Sequence, residues 1–166
     1  MRGLVVVAVG MLLGAAAGAQ ELEAGELRIG HPFALETPPR AMTGAGYLSV
    51  TNTGDAPDVL LEVRAGFPRV MMHDTEMSGD VARMVHLQAV EIPPGETVTF
   101  EPGGKHVMFM GLEGDPLEVG ERIPATLVFE RAGEVAVEFV VEARGADDTG
   151  AAGMAIDDDA DAPAQD

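Results

Sequence analysis

Three of the four histidines and six of the ten methionines in this 166-residue chain fall between residues 71 and 110: Met71, Met72, His73, Met77, Met84, His86, His106, Met108 and Met110. The tightest group is residues 103–112, GGKHVMFMGL. As a strand this run alternates, with Val107 and Phe109 on one face and His106, Met108 and Met110 on the other. Methionine alone is a common filler of irregular core gaps. Histidine is seldom chosen for an apolar interior, and here the two travel together. Imidazole and thioether are donors for a soft ion, above all copper in its reduced state, whereas harder ions want carboxylate oxygen. The chain has no cysteine, which removes thiolate ligands, thiol nucleophiles and the thiolate that a blue-copper electron-transfer site requires. In an oxidising compartment that is a coherent choice: thiols there are drawn into disulfides or oxidised, and thioethers and imidazoles bind copper less tenaciously.

The elements that position these side chains read as short β runs from Gly25 to about Gly145. Nine candidate strands stand out: ELRIGHPF, AGYLSVTN, DVLLEVR, RVMMHDTEM, ARMVHLQAV, ETVTFE, HVMFMGL, IPATLVFE and EVAVEFVVEA. Between them lie TGDAP, IPPGE, EPGG, EGDP and RAGE, each rich in turn-favouring residues. The last two runs form the clearest hairpin, because Val135, Val137, Phe139 and Val141 make one wholly apolar face. Nothing holds helical periodicity for three turns. The expectation is an all-β, antiparallel Greek-key sandwich or barrel of about eight to nine strands.

The two ends differ from this body. Residues 1–19 carry one basic residue, Arg2, an apolar run from Leu4 to Leu13, and a small-residue stretch ending Ala17-Gly18-Ala19. That is the layout of a cleaved signal peptide, and the run is too short to span a bilayer. The mature chain is expected to begin near Gln20, outside the cytoplasm and with no stable membrane insertion. Residues 146–166 are small and acidic, and are expected to be a disordered tail. Loss of Arg2 from the ten Lys+Arg leaves nine against 28 Asp+Glu, a net charge of −19. Such a surface repels nucleic acid and anionic lipid, and suits solubility.

His73, Met84, His106 and Met108 stand in the order H-x10-M-x21-H-x-M. This spacing resembles the signature of the periplasmic copper chaperones called PCu(A)C, whose fold is cupredoxin-like. AGYLSVTNTGDAPDVLLEV and EIPPGETVTFEPGGKHVMFMGL are similar to that family's early strand pair and second ligand strand, and the resemblance covers roughly residues 27–142 of a domain placed at 20–145. It implies His73, Met84, His106 and Met108 as Cu(I) ligands. It also implies a periplasmic location and a role as a non-catalytic carrier that delivers copper to a respiratory terminal oxidase. The implied partners are the oxidase's copper-binding subunit and a thioredoxin-like copper-transfer protein. The expected oligomeric state is a monomer. Two departures stand beside it. The acidic tail lacks the histidines of family members that add a Cu(II) site there, and His86 occupies a position where no family ligand is expected, as a fifth ligand or a gate.

Other residues have plainer readings. Met77, four residues from His73 in an expected turn, is a supplementary ligand candidate beside its reading as a half-packed turn residue. Met71, Met72 and Met110 read as packing, His31 as a surface or strand-end residue, and Asp157–Asp159 as part of a solvated tail. Gly103 and Gly104 are expected to satisfy a turn of positive φ. Two other functions are compatible with the sequence: a copper buffer conferring tolerance, which needs the same site, and a structural β-sandwich module in which the cluster is incidental.

Overall fold

The computed structural model describes residues 21–79 and 81–145; the expected signal peptide and acidic tail lie outside the described residues. The described chain is all-β, in eleven strands: β1 (Glu21–Ala24), β2 (Leu27–Leu35), β3 (Thr43–Asn52), β4 (Asp58–Ala65), β5 (Arg69–Ser78), β6 (Val81–Leu87), β7 (Val90–Ile92), β8 (Thr97–Phe100), β9 (His106–Met110), β10 (Arg122–Phe129) and β11 (Gly133–Glu142). They form one open sheet in the order β6-β5-β9-β3-β2-β11-β10-β4-β7, with β1 added to β2 and β8 to β3. Among the described residues no helix is long and apolar enough to cross a membrane.

Three details correct the expectation of eight to nine antiparallel strands. β1 is a four-residue strand reached through Gly25, which takes φ 63° in the turn to β2. The run 81–92 divides at the exposed residues Gln88 and Ala89. β6 stays on the sheet edge against β5, while Val90 and Ile92, 5% and 0% exposed, swing into the core beside β4. The sheet is also mixed, because β2 and β11 pair in parallel through Phe33↔Val140, Ala34↔Val141 and Leu35↔Glu142.

The core forms where the sheet packs on itself. Phe109 of β9 meets Phe139 of β11 edge-on at a centroid distance of 5.5 Å, although three strand pairings separate β9 from β11 along the sheet. Gly46 of β3 permits this approach: a Cβ there would lie 2.8 Å from the Phe109 ring and 3.1 Å from Phe139. The apolar face expected for β11 is buried along its length, with Val135, Val137, Phe139 and Val141 all at or below 7% exposure. At the start of β4 the buried Asp58 carboxylate accepts N–H bonds from Val59, Arg131 and Ala132 at 2.8–2.9 Å, fastening this strand to the β10–β11 loop.

Candidate metal centre

Strand alternation sorts the residues of β9 cleanly. Val107 and Phe109 are fully buried, so His106, Met108 and Met110 point to the other side of the sheet. Pairing then extends this outer face. β5 runs antiparallel to β9 with Met71↔Met108 and His73↔His106, and β6 runs antiparallel to β5 with His73↔His86 and Thr75↔Met84. The outer face of these three strands therefore carries Arg69, Met71, His73, Thr75 and Met77 of β5, Ala82, Met84 and His86 of β6, and His106, Met108 and Met110 of β9. Five are methionine and three histidine. None is a carboxylate, in a chain with 28 Asp+Glu; Asp74 and Glu76 alternate to the opposite face.

The centre of this face is a row of three imidazoles. The His73 ring lies 5.9 Å from that of His106, stacked, and 5.5 Å from that of His86, edge-on. His106 is buried at 7% exposure, and its Nδ1–H donates to the Gly104 carbonyl at 3.0 Å. That bond orients the ring and turns Nε2 away from the Gly104 carbonyl, toward the outer face. The same carbonyl accepts the Thr75 amide at 3.3 Å, and the loop closes through Gly104 N–H to Glu101 and Glu101 N–H to Lys105. Gly103 supplies the positive φ, 82°, on which this loop turns; Gly104 does not. Lys105 pairs with Asp74 at 3.0 Å, one residue out of step with the histidine row and on the other face.

His73 holds an orphan. Its Nδ1 is buried and has no hydrogen-bond partner. An unsatisfied buried polar atom costs about 1–3 kcal/mol, and a metal ion is one partner that would relieve it. Burial pushes the His73 pKa below its ordinary value, and the neighbouring His106 and His86 push it further down. The ring is therefore held in the neutral, ligating form. Among the described residues no three His, Asp or Glu side chains are grouped so as to hold an ion by themselves. A metal here has to take thioether sulfur as well, which selects for a soft ion.

All four residues of the H-x10-M-x21-H-x-M pattern share this face, but in a definite arrangement. His73 and His106 are direct neighbours, and Met108 adjoins both. Met84 lies on the far side of the histidine row from Met108, one rung beyond His86. His86, a supplementary candidate from sequence, stands in the row itself. Met77 belongs to β5 opposite Ala82 and not to a turn, since the chain reverses only at Gly79, φ 65°. Met71, read from sequence as packing, faces Met108 directly. His31 is remote on β2, at a bulge with φ 44°, bonded to Glu142 at 2.7 Å and stacked on Phe33.

Exposure grades across the face, from 7% at His106 through half-buried His73, Met71 and Met108 to 55% at Met84 and 65% at Met77. The site is thus an open sheet edge. A concavity of about 960 Å³ lies elsewhere among residues such as Leu22, Arg64, Ala125 and Val137, with no histidine or methionine in its wall.

Comparison with known proteins bears on this geometry. Residues 27–141 match the family described as "Putative lipoprotein LpqE-like". The putative lipoprotein Lxx21020 of Leifsonia xyli subsp. xyli (strain CTCB07) is 32% identical over 87 residues, 51% of this chain; the match spans only about half of that relative's length, 52%. The copper-bound PCuAC domain from PmoF2 is similar in structure, with TM-score 0.65 and 32% identity over 75% of this chain and 99% of that one. Cu(I)-bound DR1885 from Deinococcus radiodurans gives TM-score 0.56 and 31% identity over 76% of this chain and 83% of that one. The fold is that of a cupredoxin-like PCuAC domain.

Proposed function

Because the chain belongs to the LpqE-like lipoprotein family, we propose that it is a Cu(I) carrier of the cell envelope, a metallochaperone and not an enzyme. Copper is its cargo, held by His73, His106, Met108 and Met84. The cargo is destined for the periplasmic copper-binding subunit of a respiratory terminal oxidase, directly or through a thioredoxin-like transfer protein. The copper-bound and Cu(I)-bound states of the similar PCuAC domains support the metal and its oxidation state. The family's lipoprotein description supports export to the cell envelope.

The observation that carries this reading is a carboxylate-free, outward face of thioethers around neutral His73, whose buried Nδ1 lacks any partner. Thioether and imidazole ligands on an exposed edge let an acceptor's donors replace them one at a time, with no change of oxidation state. Titration of the mature protein with Cu(I) against a competing chelator, together with X-ray absorption, tests it. The expectation is one tightly held Cu(I) with two sulfur and two nitrogen neighbours. A protein that leaves all the copper with the chelator would refute it. Delivery is tested separately by oxidase assembly in a deletion strain under copper limitation, where normal assembly would refute that destination.

A further inference from the structure

Met71 carries the inference. Resting on the copper reading above, we propose that Met71 is a Cu(I) ligand in its own right, and that copper exchanges between Met71 and Met84 while His73, His106 and Met108 keep hold of it. The register is the ground. Met71↔Met108 and His73↔His106 are directly opposed pairs on adjacent strands and on one face. Together they make a rectangle of two sulfurs and two nitrogens whose paired Cβ atoms lie roughly 5 Å apart. Met84 sits two strands from Met108 and four residues out of step. In a flat sheet that is about 16 Å between Cα atoms, from spacings of about 4.8 Å per strand and about 3.3 Å per residue. Two thioether arms close that gap only when the β5–β6 hairpin curls over the site.

Two further features favour a ligating Met71. The residue is not a core filler. Its neighbour Met72 takes that place at 4% exposure, while Met71 is half-buried on the outer face. The hairpin is also free to curl, since among the described residues β6 is an edge strand with nothing paired beyond it. With the hairpin flat, copper rests on Met71, Met108, His73 and His106. As it curls, the Cu–S bond to Met71 breaks and one to Met84 forms. Copper stays monovalent and no proton moves. The cargo is thereby brought toward the most exposed thioethers, where an acceptor can reach it.

A double-mutant cycle on the mature protein tests this. Met71→Leu and Met84→Leu each cost less than tenfold in Cu(I) affinity, and the Met84→Leu protein still shows two sulfurs per copper by X-ray absorption. The combined variant loses more than a hundredfold and shows one. If Met71→Leu has no effect in the Met84→Leu background, or Met84→Leu alone drops to one sulfur, the proposal is overturned. A measurement on the unmutated protein guards against altered folding. With ¹³C-methyl methionine, the Met71 methyl shifts on Cu(I) loading as the Met108 methyl does, while Met72 stays still; an unmoved Met71 methyl overturns the proposal. His106→Ala, run in parallel, separates the two levels: wild-type affinity there sinks the copper reading as a whole, whereas its loss with a silent Met71 sinks only the exchange.

Discussion

His106 performs two separable tasks, and removing it should divide them. On the proposed reading Nε2 binds the copper, while Nδ1–H donates to the Gly104 carbonyl at 3.0 Å in a side chain only 7% exposed. For His106→Ala, the lost buried hydrogen bond costs about 1–3 kcal/mol of apo stability, read as a lower urea midpoint. A structural four-ligand metal site releases on the order of 10–16 kcal/mol, so one ligand is worth about 3 kcal/mol and its loss should weaken copper more than a hundredfold. His106→Asn distinguishes the tasks: its amide can donate to Gly104 in place of Nδ1 but offers no imidazole. Its urea midpoint should return most of the way toward wild type while copper affinity stays as low as in the alanine variant. Circular dichroism in urea and chelator competition give both numbers on the same samples. His106→Ala binding Cu(I) within threefold of wild type would refute the ligand assignment, and an unchanged apo midpoint would refute the positioning role of Nδ1.

Other substitutions test the frame around the site. Gly46→Ala places a Cβ 2.8 Å from the Phe109 ring, and thermal unfolding should show a loss of about 1–3 kcal/mol from overpacking. Asp58→Ala strips three backbone N–H groups of their acceptor and should lower stability by roughly 3 kcal/mol or more, with copper affinity unchanged in the folded fraction. Lys105→Met removes the partly exposed pair with Asp74. It should change stability by less than about 1 kcal/mol and copper affinity within threefold, which shows whether the pair on the opposite face matters to the site. Met110→Leu is expected to leave copper affinity within threefold, since Met110 lies opposite Arg69, beyond the Met71↔Met108 rung; a tenfold loss would show that the face binds further along than argued.

Alternation alone made much of this legible. It identified the buried face of β11, the inward Val107 and Phe109, and hence the outward direction of His106 and Met108. The hairpin register of β5 and β6 was also open to reading. A two-residue loop after Ser78, with Gly79 at its head, sets Ser78 against Val81 and therefore His73 against His86. The turn expected at Met77 instead lies beyond Ser78, and Met77 stays within β5. What no local pattern supplies is the pairing of β5 with β9, separated by some thirty residues. The opposition of Met71 to Met108 rests entirely on that non-local register, and so does the recognition that Met84 lies across the row. The parallel contact of β2 with β11 was hidden for the same reason. β1 escaped because four residues, two of them glutamate, are too few to display a period.

The chemical selectivity of the face follows from what the alternation excludes. β5 carries Asp74 and Glu76, interleaved with His73, Thr75 and Met77. Shifting its register by one residue would turn both carboxylates onto the site and both principal donors of that strand off it. A soft site would become a hard one. That register is held next to the site by the Gly104 carbonyl, which receives the Thr75 amide from β5 and the His106 ring from β9. The glycine-rich loop therefore does more than carry the chain into β9. It keeps oxygen donors off the histidine–methionine face, in a protein with 28 Asp+Glu. On the proposed copper reading, the preference for a soft ion is set by backbone register as much as by the identity of the donors.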